Sequence, residues 1–205
     1  MGFLQHTLGI LMRPHTEWEA IRNEKNSFIQ VFVRHVPILA LIPVICAYVG
    51  VTQVGWVVGN GDVVKLTPVS AASLCALTYV ALLAGIYLLG EFINWMSKTY
   101  GVPGDDATRH YEATALAVYV STPSLIAGLV LLYPQLWLVA VVIGLAAAYS
   151  VYLIYQGIPI LMNISKEQAF MYATSVVTVG LVLMVSTLMA TVVIWGMGIG
   201  PVYMN

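Results

Sequence analysis

The chain has 205 residues, of which 60% are hydrophobic and only 8% charged, with a formal net charge of −1. A soluble domain carries roughly 25% charged residues because its surface faces water, and eight Lys/Arg with nine Asp/Glu cannot cover a globule of this length, so most of this surface faces lipid. The near-neutral balance excludes a nucleic-acid binder that works by neutralising phosphates, and Cys46 and Cys75 have neither zinc-site nor disulfide-framework spacing.

The first 35 residues lack the long apolar core and small-residue cleavage site of a signal peptide. Leu4, Leu8 and Leu11 recur at i, i+4 and i+7, ahead of Arg13-Pro14. Thr16 and Glu19 have capping-box spacing, as do Ser27 and Gln30 just before the first long apolar run. The pattern predicts two short amphipathic helices on the cytoplasmic face, with Phe3 and Trp18 dipping into the membrane interface. Such a segment serves as a surface anchor or as a docking element for a partner.

Four charge-free runs follow, over Val36–Gly61, Leu66–Gly90, Ala113–Ser165 and Gln168–Asn205. A crossing needs about 20 apolar residues. The third run is too long for one crossing and breaks at Tyr133-Pro134-Gln135, with Tyr133 and Trp137 as interfacial aromatics. The expected fold is an all-α polytopic bundle with five spans, at about 36–58, 69–93, 113–132, 136–156 and 170–197, and a tail over 198–205. An open sheet is excluded within the hydrocarbon, where unpaired backbone groups find no partner.

Orientation follows from the basic residues. Arg13, Arg22, Lys25, Arg34, Lys98, Arg109 and Lys166 fall on one side, and only Lys65 on the other. This bias predicts a cytoplasmic N-terminus and an outside C-terminus.

An ionisable residue inside a span is a default site candidate, and Glu91 alone qualifies. At similar depth lie Asn94 on the same span, Arg34 and His35 at the start of the first, and His110 and Glu112 at the start of the third. Functional readings of this cluster are a proton relay, a cation entry site or a metal site. The plainer reading pairs Glu91 with Arg34 or Lys98 and locks helices together. No two candidate ligands share metal spacing on one helix, so no metal site and no cofactor are expected.

Asp105 and Asp106 read as helix-start residues. The third span carries Ser121-Thr122-Pro123-Ser124 at its centre. Pro123 predicts a kink whose freed carbonyl a hydroxyl such as that of Thr122 can satisfy, as a packed kink or as part of a substrate path.

Tyr149, Tyr152 and Tyr155 rise along the fourth span with hydroxyls available for bonds between helices. Small residues recur at Ala72/Ala76, Ala81/Gly85 and Gly144/Ala148, which permits close helix contact within a compact bundle or at a dimer face. The hydroxyls of the fifth span (Thr174, Ser175, Thr178, Ser186, Thr187) either bond their own backbone or line a headgroup path. Motifs of intramembrane enzymes are absent: there is no His-Glu-x-x-His, Gly-x-Ser-x-Gly or Walker lysine.

Five segments together resemble the Ypt-interacting-protein (Yip) family, in particular its short bacterial members. They are LMRPHTEWEAIRNE before the first span, VPILALIPVICAYVG within it, GEFINWMSKTYGV ending the second, YVSTPSLIAGLVLLYP in the third and YSVYLIYQGIPILM closing the fourth. The resemblance runs from about Leu11 to Gly180 and implies five spans with a cytoplasmic N-terminus, in the bacterial inner membrane. Eukaryotic relatives act in vesicle trafficking and bind prenylated GTPases, but they carry a longer cytoplasmic N-terminal region. The short segment here speaks against GTPase binding. The reading is a non-enzymatic membrane protein that organises lipids, other membrane proteins or copies of itself. The alternative is a small transporter or channel built on the Glu91 cluster and the Pro123 kink.

Overall fold

The computed structural model describes residues 3–24, 27–58 and 61–204, with side chains from His6 onward, Val58 excepted. Two short helices, α1 (Phe3–Met12) and α2 (Pro14–Asn23), precede five long ones. These are α3 (Phe28–Val49, extended by a π-helical turn over Gly50–Val54), α4 (Pro68–Thr99), α5 (Asp106–Ala127, continued as a 3-10 helix over Gly128–Leu132), α6 (Leu136–Leu161) and α7 (Lys166–Gly196). Among the described residues these five are long and apolar enough to cross a membrane, with mean hydropathy between 2.0 and 2.4. The expected break at Tyr133-Pro134-Gln135 separates the 3-10 turn from α6.

At the charged end the long helices run past the apolar runs, because their caps are polar. Ser27 and Gln30 form the expected capping box of α3, the Asp105 carboxylate accepts from the Thr108 amide to start α5, and Ser165 caps α7 through Gln168. Pro159 does not end α6, which continues to Leu161 and stops where Asn163 takes a left-handed φ of +49°.

α5 is the central helix, buried from Tyr111 through Val120 and packed against α3, α4 and α6. Its small residues bring neighbours close. Gly90 of α4 faces Thr114 and Ala117, and Gly128 lies against Pro43 of α3, where a Cβ would sit 2.7 Å from the Pro43 Cα. The stripes singled out in the sequence are not these contacts: Gly85 and Gly144 have open space where a side chain would project.

The first span does not reach residue 58 as a helix. It ends at Gly55, and Trp56–Val58 (β1) pairs antiparallel with Asp62–Val64 (β2). This hairpin lies beyond the helix ends, where the bar on sheets in hydrocarbon does not apply. The C-terminal tail is tied to it: Leu66 bridges Tyr203, the Thr67 amide donates to Val202 at 2.8 Å and the Met204 amide to Lys65 at 2.9 Å.

The N-terminal helices depart most from expectation. Trp18 does not reach the membrane interface; it is 0% exposed. Its indole packs on Gly157 of α6, where a Cβ would lie 2.8 Å from the Trp18 ring and 2.8 Å from Leu116, and meets Tyr119 edge-on. The buried face of α1 is His6, Thr7 and Ile10, while Leu8 points outward. His6 is buried by its contacts to α2, and of the leucine series Leu11 packs against the core. Thr16 is not an N-cap, because Pro14 at the first helical position starts α2 earlier, after Arg13. The side chains of Phe3 and Leu4, and Lys25, lie outside the described residues.

Candidate functional site at the charged end

The ends of α2 and α4 and the first turns of α3 and α5 bring most of the candidate residues to one end of the bundle. Glu91 is not paired with Arg34 or Lys98. Its carboxylate lies 2.8 Å from His110 Nε2, and the His110 ring stacks on Phe28 with centroids 4.0 Å apart. Lys98 turns instead to Asp106, 3.7 Å away, which also binds Arg109. Hydrogen bonding from Thr108 holds the Asp105 carboxyl below the usual carboxylate range.

His35 is buried in a separate set. A carbonyl only accepts, so Nδ1 carries the proton it gives to Val31 at 2.8 Å, and in the neutral ring Nε2 accepts from the Tyr119 hydroxyl at 3.1 Å. Arg34 is exposed on α3, and Asn94 is half-buried on α4 with its backbone carbonyl accepting from Ser97 at 2.6 Å. Glu112 is only 8% exposed. It has no hydrogen bond or ion pair among the described residues, and it lines a cavity beside α2.

Pro123 sits inside a continuous α5. The Ser121 and Thr122 hydroxyls bond the carbonyls of Ala117 and Val118 at 2.7 and 3.1 Å, one turn back from each, and not that of Tyr119, the carbonyl Pro123 frees, so Thr122 does not play the part expected of it. Among the described residues no three His, Cys, Asp or Glu gather to hold a metal ion.

A polar centre that the sequence did not reveal links α1 to α2. His6, 2% exposed, meets Glu17 through Nδ1 and Glu24 through Nε2, the latter at 2.8 Å. A neutral imidazole has one N–H, so both contacts to ionised carboxylates are hydrogen bonds only when the ring is a cation. Gly9 makes room, since a Cβ there would overlap the Glu17 carboxylate. Burial pushes the Glu24 carboxyl up, but the His6 hydrogen bond and charge outweigh it and hold it below the usual range. The only signal in the sequence was one histidine and two glutamates across a proline break, which spacing rules do not connect.

Tyrosines staple this unit to the bundle. Tyr111 donates to the Ile21 carbonyl at 2.9 Å, and Tyr149 to the carbonyls of Ile10 and Leu11 at 3.2 and 3.0 Å. Tyr155 meets Thr174 at 3.0 Å, as the tyrosine series on the fourth span anticipated, whereas Tyr152 is exposed. The α7 hydroxyls of Thr174, Ser175, Thr178 and Thr187 bond carbonyls one turn back on their own helix.

Inward of Glu91 and His35 the side chains of Leu39, Ile86, Leu116 and Val120 are all buried in an apolar core. The molecule is therefore a five-helix membrane bundle whose charged end is plugged by two docked helices. Residues 8–187 match the Yip1 domain, and the chain belongs to that family. It is 37% identical to the inner membrane protein YohC of Escherichia coli strain K12, over 195 residues that cover 95% of this chain and 98% of that one. The same protein from E. coli O6:H1 matches with the same identity and coverage. No solved structure matches the chain.

Proposed function

We propose that this is a non-enzymatic inner-membrane protein that organises lipid, holding an acyl chain against the face of α7. The observation that carries the reading is the way α7 leaves the bundle. Its buried residues are Ala169, Tyr172, Ala173 and Val176, all in the first three turns. Beyond them none of its residues is buried, and an apolar groove of about 660 Å³ lies between it and α4. The groove runs from Leu74 to Leu89 on α4 and from Gly180 to Trp195 on α7. At about 1.5 Å per residue that is roughly 23 Å, the reach of an extended acyl chain across more than one leaflet of a core about 30 Å thick.

Two further supports are the seven-to-one distribution of basic residues, which favours the charged end in the cytoplasm, and the likeness to an inner membrane protein. The transport reading has less behind it, since the Glu91–His110 pair and the His35 set are hydrogen-bonded and back onto hydrocarbon.

Native mass spectrometry from mild detergent tests the reading. Lipid held through partial delipidation is expected, and it should be lost from Gly85→Phe, which fills the groove from a position with open space. A strictly lipid-free protein, or equal retention by the variant, overturns it.

A further inference from the structure

Glu112 is a charged side chain more than nine-tenths buried, without a hydrogen bond or ion pair among the described residues. Burying a lone carboxylate is expensive, so such a group either holds a proton or awaits a cation. It lines a cavity of about 960 Å³ at the charged end, between the C-terminal turn of α2, the start of α3 and the first turns of α5.

The other charged groups on the wall divide sharply. Glu24 is engaged by His6, Asp106 by Arg109 and Lys98, and His110 by Glu91. Arg22 is the exception. It sits exposed in the last turn of α2 and makes no ion pair among the described residues. Glu112 and Arg22 therefore share one cavity, a carboxylate within and a guanidinium at the rim; the charges of Arg22 and Arg109 act on Glu112, but from beyond ion-pair distance.

A cavity of this kind is complementary to a ligand with an ammonium at one end and an anion a few ångströms away. The ammonium donates N–H bonds to the carboxylate, and the guanidinium takes a phosphate in its planar fork. The cavity stands at the end where basic residues cluster, the level at which lipid headgroups meet protein.

We infer that the Glu112–Arg22 cavity binds a phosphoethanolamine group, the ammonium on Glu112 and the phosphate on Arg22. Two sources carry that chemistry: the headgroup of an aminophospholipid and free phosphoethanolamine. The site shares no residue with the α4–α7 groove, so the two stand or fall separately.

The test uses the full chain in nanodiscs of a phosphatidylcholine background. Phosphatidylethanolamine, phosphatidylglycerol or a further equivalent of phosphatidylcholine is titrated in and bound lipid is read by native mass spectrometry, with free phosphoethanolamine in a separate arm. Phosphatidylethanolamine should be retained at least tenfold over the other two, because phosphatidylglycerol lacks the ammonium and choline has no N–H to give. Glu112→Gln should abolish the preference. Arg22→Gln, at an exposed position that leaves the fold intact, should weaken phosphatidylethanolamine binding severalfold. Gly85→Phe should leave the preference unchanged whatever it does to the groove. Saturable binding of free phosphoethanolamine that needs both residues also supports the site and assigns it to the soluble source. Equal retention of all three headgroups with no binding of the free compound overturns the inference, as does a preference that survives both Glu112→Gln and Arg22→Gln.

Discussion

Trp18 is the anchor of the N-terminal plug, and its replacement separates a packed plug from a surface anchor. The indole is 0% exposed and lies between Gly157, Leu116 and Tyr119. Truncating a buried tryptophan to alanine costs about 3–5 kcal/mol through lost burial and the cavity left behind. Little would collapse into that cavity, because Gly157 on the opposite wall has no side chain to move. Trp18→Phe provides the internal control. The buried indole Nε1 has no hydrogen-bond partner among the described residues, so phenylalanine gives up no bond and removes an unsatisfied donor. It should cost about 1 kcal/mol, the volume difference alone. The assay is hydrogen exchange of α1 and α2, with tryptic cleavage after Arg22 as a second readout. Trp18→Ala should open both helices to exchange and α2 to cutting while α4–α7 stay protected, and Trp18→Phe should stay close to wild type. Wild-type protection in Trp18→Ala would refute the packed arrangement and restore the tryptophan to the membrane interface.

Other consequences follow from particular contacts. Gly128→Ala puts a methyl against the Pro43 backbone, 2.7 Å from Cα, and should cost about 1–3 kcal/mol. Gly85→Ala, in open space, should be neutral or stabilising by up to about 1 kcal/mol, so a thermal-unfolding series that ranks the two the other way contradicts the helix contacts. Glu24 titrates in the folded protein below its usual value of 4.5. Its contribution to docking is thus fully present above about 4.5 and lost as pH falls through the lower folded value. The wild-type advantage over Glu24→Gln in hydrogen-exchange protection of α1 and α2 should shrink only below that point, and an advantage already lost at pH 6 would contradict the pairing. The Glu91–His110 pair is half-exposed, with side chains 35% and 22% accessible. Glu91→Gln should therefore cost at most about 1 kcal/mol in thermal unfolding and leave proteoliposome ion leakage at background. Flux carried by the wild type and removed by the variant would revive the transport alternative.

The spans were legible because lipid writes its demand as uninterrupted apolar runs broken by a single proline turn. The Ser27–Gln30 box and the Asp105 cap were legible because caps act within four residues. The hairpin was less so, although Gly59-Asn60-Gly61 between Trp56-Val57-Val58 and Asp62-Val63-Val64 carries turn residues that mark one. A hydropathy reading merges those valines into the span.

Depth placed Glu91 and His110 at one level and the structure joins them, but depth says nothing of rotation about a helix axis. Arg34 therefore sits on an exposed face while its neighbour His35 is buried. His6, Glu17 and Glu24 were invisible for a similar reason. Their meeting depends on how two helices fold back across Pro14, which the leucine spacing of α1 does not report.

Native mass spectrometry of the wild type and Gly85→Phe, taken through graded delipidation, tests the central claim most directly. The account predicts that the wild type keeps lipid at a fixed stoichiometry while the variant, equally folded, releases it. Release from both at the same step, or a stable protein partner in the groove in place of lipid, would contradict it.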